Sequence, residues 1–240
     1  MNPFLSIIIP AHNEENRLPD TLEQVFDFLK KQSFTSEVIV VENGSTDKTF
    51  EIAQGFMEQY NNLCVIQSER GKGAAVRRGM LEAKGIYRFM CDADLSMPVE
   101  EITKFIPPAV NNFDITIASR EANGAVRYNE PPYRHLGGRA INFLIQLFIL
   151  PGLNDTQCGF KCFSAKVADD IFALQTLNGW SFDIEMLYVA RRHQYKILEI
   201  PIHWVHHPET KVNAVRDAIR MIQDIFRIRV NALRGMYGTR

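Results

Sequence analysis

Two aspartates one residue apart, Asp92 and Asp94, close the hydrophobic run Tyr87-Arg88-Phe89-Met90-Cys91, with Ala93 between them and Pro98 shortly after to turn the chain. Such a pair suits Mg2+ or Mn2+ bridged to substrate phosphates, because hard cations take few protein carboxylates and complete their shell with phosphate and water. A helix cap, with Asp94 or Ser96 placed before Val99, is the competing reading. Arg70-Gly71-Lys72-Gly73 offers complementary chemistry after a strand and at the opening of a helix. Its glycines let backbone N–H groups approach an anion while Lys72 and Arg70 bring charge. The spacing is neither that of a P-loop nor that of GxGxxG, so a plain surface turn competes here too. Glu42-Asn43-Gly44-Ser45-Thr46-Asp47 reads as a tight turn with a Ser or Thr helix cap. Glu42, at the end of a buried strand, is then free to accept hydrogen bonds from a base or a ribose.

The elements that must position these loops are legible in the first half of the chain. Apolar runs at 5–11, 37–44, 63–68, 87–94 and 113–120 read as strands. Between them, 16–32 (Leu18, Leu22, Val25, Phe26, Leu29), Thr46–Tyr60, Gly73–Lys84 and Val99–Val110 carry helical periodicity. The alternation predicts an α/β fold with a mostly parallel central sheet flanked by helices, and ligands bind such sheets at the carboxyl ends of their strands. His12-Asn13-Glu14-Glu15, Glu42 to Ser45, Glu69 to Gly73 and Asp92 to Asp94 all fall there.

The second half is less regular. Arg134–Leu150, Lys166–Leu177, Asp183–His193 and roughly Val212–Leu233 read as helices, and 159–164 and 196–205 as extended segments. With 240 residues and 46% apolar side chains the chain can build a large core, which excludes a disordered tail or a disulfide mini-domain. The net charge of −1 gives no global attraction to nucleic acid, yet residues 211 to 240 hold seven basic and two acidic side chains, net +5. Cys64, Cys91, Cys158 and Cys162 match neither a zinc pair nor a redox CxxC, and no secretory signal precedes them, so a reducing cytosol is expected and Cys158 and Cys162 read as packing residues. The longest apolar stretch, Ala140 to Leu150, is interrupted by Asn142 and Gln146 and is short of the about 20 residues a bilayer crossing needs.

Taken together, Pro10-Ala11-His12-Asn13-Glu14, Val41 to Asp47, Gly71-Lys72-Gly73-Ala74-Ala75-Val76-Arg77 with Gly79-Met80, and Asp92-Ala93-Asp94 resemble in order and spacing the nucleotide-sugar half of family 2 glycosyltransferases with the GT-A, Rossmann-like fold. Ser119-Arg120, Asp155 to Lys161, Phe182-Asp183-Ile184-Glu185 and Ile200 to Trp204 extend the resemblance to the polyprenyl-phosphate sugar transferases, closest to the dolichyl-phosphate β-glucosyltransferase group. It covers almost the whole chain: a GT-A domain over 1–210, with 211–240 as a basic amphipathic helix of the same unit.

The resemblance implies roles position by position. Pro10, Ala11, Glu14, Glu42 and Asn43 would line the nucleoside, Lys72 would lie by the base or diphosphate, and Asp92, Ala93 and Asp94 would complete the donor site, with Asp92 and Asp94 holding Mg2+ or Mn2+. Glu42 stands where the family usually has Asp, and Asn43 departs from the common second Asp. Arg120, Arg134 and Arg139 would contact the lipid phosphate. Arg134 and Arg139 lie about 140° apart on one helix, so both face one phosphate only if Gly137-Gly138 breaks it. His12 and Gln157 are further candidate substrate contacts. Of His203, His206 and His207, mostly polar surface, His206 or His207 could add a metal contact.

The implied reaction is inverting transfer of a hexose, glucose foremost, from UDP to a polyprenyl phosphate at the cytoplasmic membrane face. Two alternatives stay open. A hydroxyl acceptor would need Asp183 or Glu185 as general base, whereas a lipid phosphate, with its second pKa near about 6, is already anionic; both acids also read as an exposed helix start. A non-catalytic nucleotide-sugar-binding protein is the other. Many relatives carry transmembrane helices that are missing here, so peripheral attachment falls to the C-terminal helix. There Val212, Val215, Ile219, Ile222, Phe226 and Leu233 form an apolar stripe flanked by Arg216, Arg220, Arg227, Arg229 and Arg234. An ordinary core-packing helix is the competing reading.

Overall fold

The strand β1 (Leu5–Ala11) is buried at all seven positions, as a continuous apolar run in the middle of a parallel sheet must be. The computed structural model describes residues 2–206 and 214–238, apart from the side chains of residues 133, 134, 136, 214, 215 and 217. His207, Val212 and the side chain of Arg134 therefore lie outside the described residues. Around β1 stand β2 (Ser36–Glu42), β3 (Leu63–Gln67), β4 (Tyr87–Met90), β5 (Ile115–Ser119), β7 (Lys161–Ser164) and β8 (Ile197–Pro201), in the order β3-β2-β1-β4-β7-β5-β8. All neighbours are parallel except that β7 runs against both β4 and β5. Register aligns Ala11, Glu42 and Gln67 in one row at the carboxyl edge.

Alternate strand residues feed the two faces. Ile8, Ile39, Val41, Met90 and Ile117 join one core with α3 (Lys72–Glu82), α5 (Ala165–Phe172), α6 (Phe182–Arg192) and α7 (Ala214–Leu233). Leu5, Ile7, Ile9, Val38, Val40 and Phe89 join the other, with α1 (Leu18–Leu29) and Ala53 of α2 (Thr49–Met57). All five apolar positions expected on the first helix are buried.

Four expectations change. The helix expected over Val99–Val110 is a 3-10 turn, Val99–Phe105, ended by an extended Ile106, since Pro107 and Pro108 cannot donate to a helix and disfavour it in the residue before them. The extended segment 196–205 splits after Pro201, and β9 (His203–Val205) leaves the main sheet to pair in parallel with β6 (Val126–Tyr128), a strand too short to show a pattern. The helix expected over Lys166–Leu177 ends at Phe172. Finally, α4 (Pro132–Phe148) runs unbroken through Gly137-Gly138, whose added β-carbons would meet nothing within 4 Å, so the break that would let Arg134 and Arg139 share a phosphate does not occur.

Candidate functional site

The carboxyl edges of β1, β2 and β4 and the start of α3 meet in one corner. Asn43 ties it together: its Nδ2 donates to Ala11 O at 2.9 Å, and its Oδ1 accepts the Gly71 N–H at 3.3 Å. An aspartate could accept from Gly71 but could not donate to Ala11, so this corner calls for the amide. His12 Nδ1 lies 3.0 Å from Asn43 O, and Glu14 pairs with Arg17 at 2.7 Å. Asn13, at a positive φ of 53°, accepts the Thr46 N–H at 2.8 Å and so laces the β1 loop to the β2 loop.

Glu42 is not free in the way its sequence position suggests. Buried, it accepts from the Ser45 amide and, at 3.0 Å, from Gln67 Nε2. Burial pushes its carboxyl up, but these hydrogen bonds more than offset that and hold it below the usual glutamate value. Its first task is to shape the turn, and remaining lone pairs are all it can offer a nucleoside.

Lys72, in the first turn of α3, reaches across to both oxygens of Asp92, 2.7 and 2.9 Å away. Burial acts against its charge, but Asp92 and Asp183 prevail and raise its pKa. Burial raises Asp92, Lys72 opposes this, and the nearby Asp94 adds to the rise. Asp94 Oδ1 accepts the Ser96 N–H at 3.0 Å, which closes a local turn; the helical turn at Val99 is preceded by Pro98 and has no side-chain cap, so neither Asp94 nor Ser96 caps it. Behind Asp92 stands Gly159, where a β-carbon would lie 2.0 Å from Asp92 Oδ2, so the backbone entering β7 sets the carboxylate's position. No group of three or more His, Cys, Asp or Glu gathers for a metal among the described residues. Two neighbouring carboxylates, Asp92 paired with the Lys72 ammonium and Asp94 with the Ser96 amide, fit a hard cation that takes the rest of its shell from a diphosphate and water. His206 follows Val205, whose N–H donates to Ser96 O at 2.7 Å, which brings it near the Asp94 turn.

The acid pair on α6 separates. Asp183 is buried against Lys161, 2.7 Å from its Nζ, on the side that faces Lys72. Glu185 is wholly buried and accepts from the Thr176 and Leu177 amides at 3.0 and 2.8 Å and from the Tyr237 hydroxyl at 2.7 Å. Neither is an exposed helix start, and Glu185 holds a loop instead of standing ready as a base.

Arg120, expected to contact the lipid phosphate, gives its main-chain N–H and two guanidinium N–H groups to Asp155 at 2.6–3.0 Å. Burial acts against the Asp155 carboxyl, but Arg120 lowers it below the usual range. Arg120 also lies 5.3 Å from the Trp204 ring, and its carbonyl accepts from Arg127, itself paired with Glu121 and Glu130. Two guanidinium groups here face three carboxylates, so the cluster is net negative and Arg120 brings no net positive field. Arg139 lies exposed on α4. Cys91, Cys158 and Cys162 are buried and Cys64 is exposed, in keeping with packing roles for Cys158 and Cys162.

Sequence reasoning assigned no role to Gly159, Lys161, Asp155, Arg127 or Trp180. The one signal on offer was a lysine inside an otherwise apolar extended run, Gly159 to Phe163, which demands a buried counter-charge.

Residues 6–172 match the profile of Glycosyl transferase family 2. The chain is 32% identical over 253 residues to the dolichyl-phosphate beta-glucosyltransferase of Dictyostelium discoideum, covering 98% of this chain and 77% of that one. It is 34% identical over 250 residues to the protein of that name from Drosophila melanogaster, covering 97% and 76%. Among solved structures, glucosyl-3-phosphoglycerate synthase from Mycobacterium tuberculosis in complex with Mn2+, uridine-diphosphate and phosphoglyceric acid aligns with a TM-score of 0.68 at 16% identity, over 99% of this chain and 80% of that one. That likeness speaks for the fold alone, which is GT-A.

Proposed function

We propose that this chain, which belongs to Glycosyl transferase family 2 and is a glycosyltransferase, moves glucose with inversion from UDP-glucose to a dolichyl- or undecaprenyl-type phosphate. The observation that carries this is the corner where Asn43, Lys72 and Asp92 converge at the carboxyl edge of the sheet, together with relatives named for dolichyl-phosphate glucosylation over nearly the whole chain.

The Asn43-tied loops and Glu42 hold the nucleoside. Lys72 turns its charge from Asp92 to the diphosphate and steadies it as the bond to the sugar breaks. Asp92 and Asp94 would hold Mg2+ or Mn2+, with His206 as a further donor; bound there, the ion supplies charge that stabilises the departing diphosphate. The acceptor phosphate, ionised at neutral pH, attacks from the opposite side with no strong base, which accords with Asp183 and Glu185 being engaged elsewhere. Arg120 then orients the Asp155 turn, and Arg139 is left to meet the lipid phosphate.

The enzyme works as one unit, 1–210 with 211–240, peripherally at the cytoplasmic face of a membrane. No helix among the described residues is long and apolar enough to cross one. Instead α7 has two apolar faces: Met221, Ile225, Ile228 and Ala232 enter the core, while Ile219, Ile222, Phe226 and Leu233 are exposed, Phe226 by 73% and Leu233 by 89%. Beside it α4 exposes Phe143, Leu147 and Phe148, and Arg229 binds Phe148 O at 2.6 Å, joining the two helices. Exposed Arg216, Arg220 and Arg227 sit about a quarter turn beyond the outer stripe of α7, a pattern suited to an anionic leaflet.

Mass spectrometry of lipid products after incubation with polyprenyl phosphate and a panel of nucleotide sugars tests the reading. A glucosyl-phosphoryl lipid formed with UDP release is expected. Glucosylation of a phosphate-free acceptor alone would sink it, and UDP-sugar binding without any transfer would favour a binding protein.

A further inference from the structure

The segment 173–181 between α5 and α6 has no regular structure, yet it is fixed on two sides. On one side it lies against the opening turn of α3. Gln175 Nε2 donates to Gly73 O at 2.9 Å, the Ala74 N–H donates to Asn178 O at 3.3 Å, and a β-carbon on Gly71 would stand 2.2 Å from Asn178 O. The two glycines of the Arg70 to Gly73 turn thus admit this segment's backbone, not only an anion. Its next aromatic, Trp180, is 43% exposed, and its ring lies 5.3 Å from Lys72 Nζ.

On the other side a polar clip reaches in from the C-terminus. Glu185 accepts from the Thr176 and Leu177 amides and from the Thr176 hydroxyl. Tyr237, wholly buried just past the end of α7, donates to Glu185 at 2.7 Å, and Asn231 of α7 donates to Thr176 Oγ1 at 3.1 Å. Burial and the adjacent Glu185 raise the Tyr237 hydroxyl, so it stays protonated and a donor. Gly73, Ala74 and Asn231 from far along the chain, and Glu185 backed by Tyr237, thus hold a segment of nine residues.

We propose that Glu185, Asn231 and Tyr237 are positioning residues of the donor site: through segment 173–181 they set Trp180 over the Lys72 ammonium, so that the order of the diphosphate corner depends on the seating of α7. This rests on reading Lys72 as a donor-diphosphate contact. The indole face restrains the ammonium, already paired with Asp92, without neutralising it, so its loss leaves Lys72 less ordered where the diphosphate would meet it. A helix that also carries the exposed apolar stripe is thereby wired to the donor corner.

The test titrates the full-length protein with UDP, following the emission of Trp180 as the difference between wild type and Trp180→Phe, with calorimetry alongside. Expected are a UDP-dependent change in that emission, and in Tyr237→Phe a roughly tenfold loss of UDP affinity with a matching rise in the KM for the donor and an acceptor KM within about twofold of wild type. Trp180→Ala should match Tyr237→Phe, and the double variant should be no worse than either, because both act by one route. Tyr237→Phe that lowers the melting temperature yet binds UDP normally, additive losses in the double variant, or a Trp180 emission blind to calorimetrically bound UDP would each overturn the proposal. Should Tyr237→Phe not fold, Trp180→Ala decides, since its side chain is partly exposed: unchanged UDP affinity refutes, a loss supports. Wild type that binds no UDP at all would instead bring down the donor reading, and this inference with it.

Discussion

Asn43→Asp is the sharpest probe of the donor corner, because it changes one atom's chemistry and almost no volume. Asn43 is 4% exposed, with Nδ2 2.9 Å from Ala11 O and Oδ1 receiving the Gly71 N–H at 3.3 Å. The carboxylate loses a donor, about 1 kcal/mol, and sets a negative oxygen against a desolvated carbonyl, a further about 1–3 kcal/mol. The bond from Gly71 becomes charge-assisted and offsets part of this, which leaves a net loss of about 1–3 kcal/mol, or a midpoint lower by roughly 2–12 °C for a chain of this size. The sign with pH follows from burial. The introduced carboxyl has a native pKa raised above its unfolded value of about 3.9, so the penalty is complete above the native pKa and disappears as pH falls toward the unfolded one, where its O–H can donate to Ala11 as the amide did. Thermal unfolding by circular dichroism of both proteins at about pH 7.5 and about pH 5 measures it. Equal midpoints at the higher pH, or a deficit that does not shrink at the lower one, would refute the assignment of Asn43 as the knot between three loops.

Three further outcomes are expected. Asp94→Ala should stay folded and lose on the order of 10² to 10³ in transfer rate, since a loop carboxylate contributes little to the core; more than about half of wild-type turnover persisting in EDTA would speak against the metal. Gly159→Ala places a methyl group 2.0 Å from Asp92 Oδ2, so transfer should fall roughly tenfold or more while the protein still unfolds cooperatively; steady-state kinetics beside a melting curve checks both. Glu42, with its carboxyl held below the usual value, contributes stability that is present above about pH 4.3 and is lost as pH falls through its native pKa. Acid unfolding of Glu42→Gln should therefore differ from wild type near neutrality and converge with it in acid, and a constant difference would contradict the reading.

The layered α/β sheet and the edge where the chemistry sits were already legible in the order of the residues. A short β-branched run such as Ile7 to Ile9, closed by Pro10, reads as a buried strand, and the polar clusters that end such strands share an edge when the strands are parallel. What that order left open is who meets whom. Asp183 and Glu185 stand two apart on α6, about 200° around it, so they were bound to face different surroundings; only the path of the chain puts Lys161 before one and Tyr237 before the other. The same holds for α7, whose six-residue stripe was visible while the second apolar face, Met221 to Ala232, became distinct only once the core claimed it. Periodicity reports whether a face is wet or dry, an average over many neighbours, and so survives in one dimension. A hydrogen bond or an ion pair depends on one neighbour placed to within an ångström, and for Arg120 with Asp155, or Asn43 with Ala11 and Gly71, that neighbour is far along the chain and is fixed by the tertiary fold.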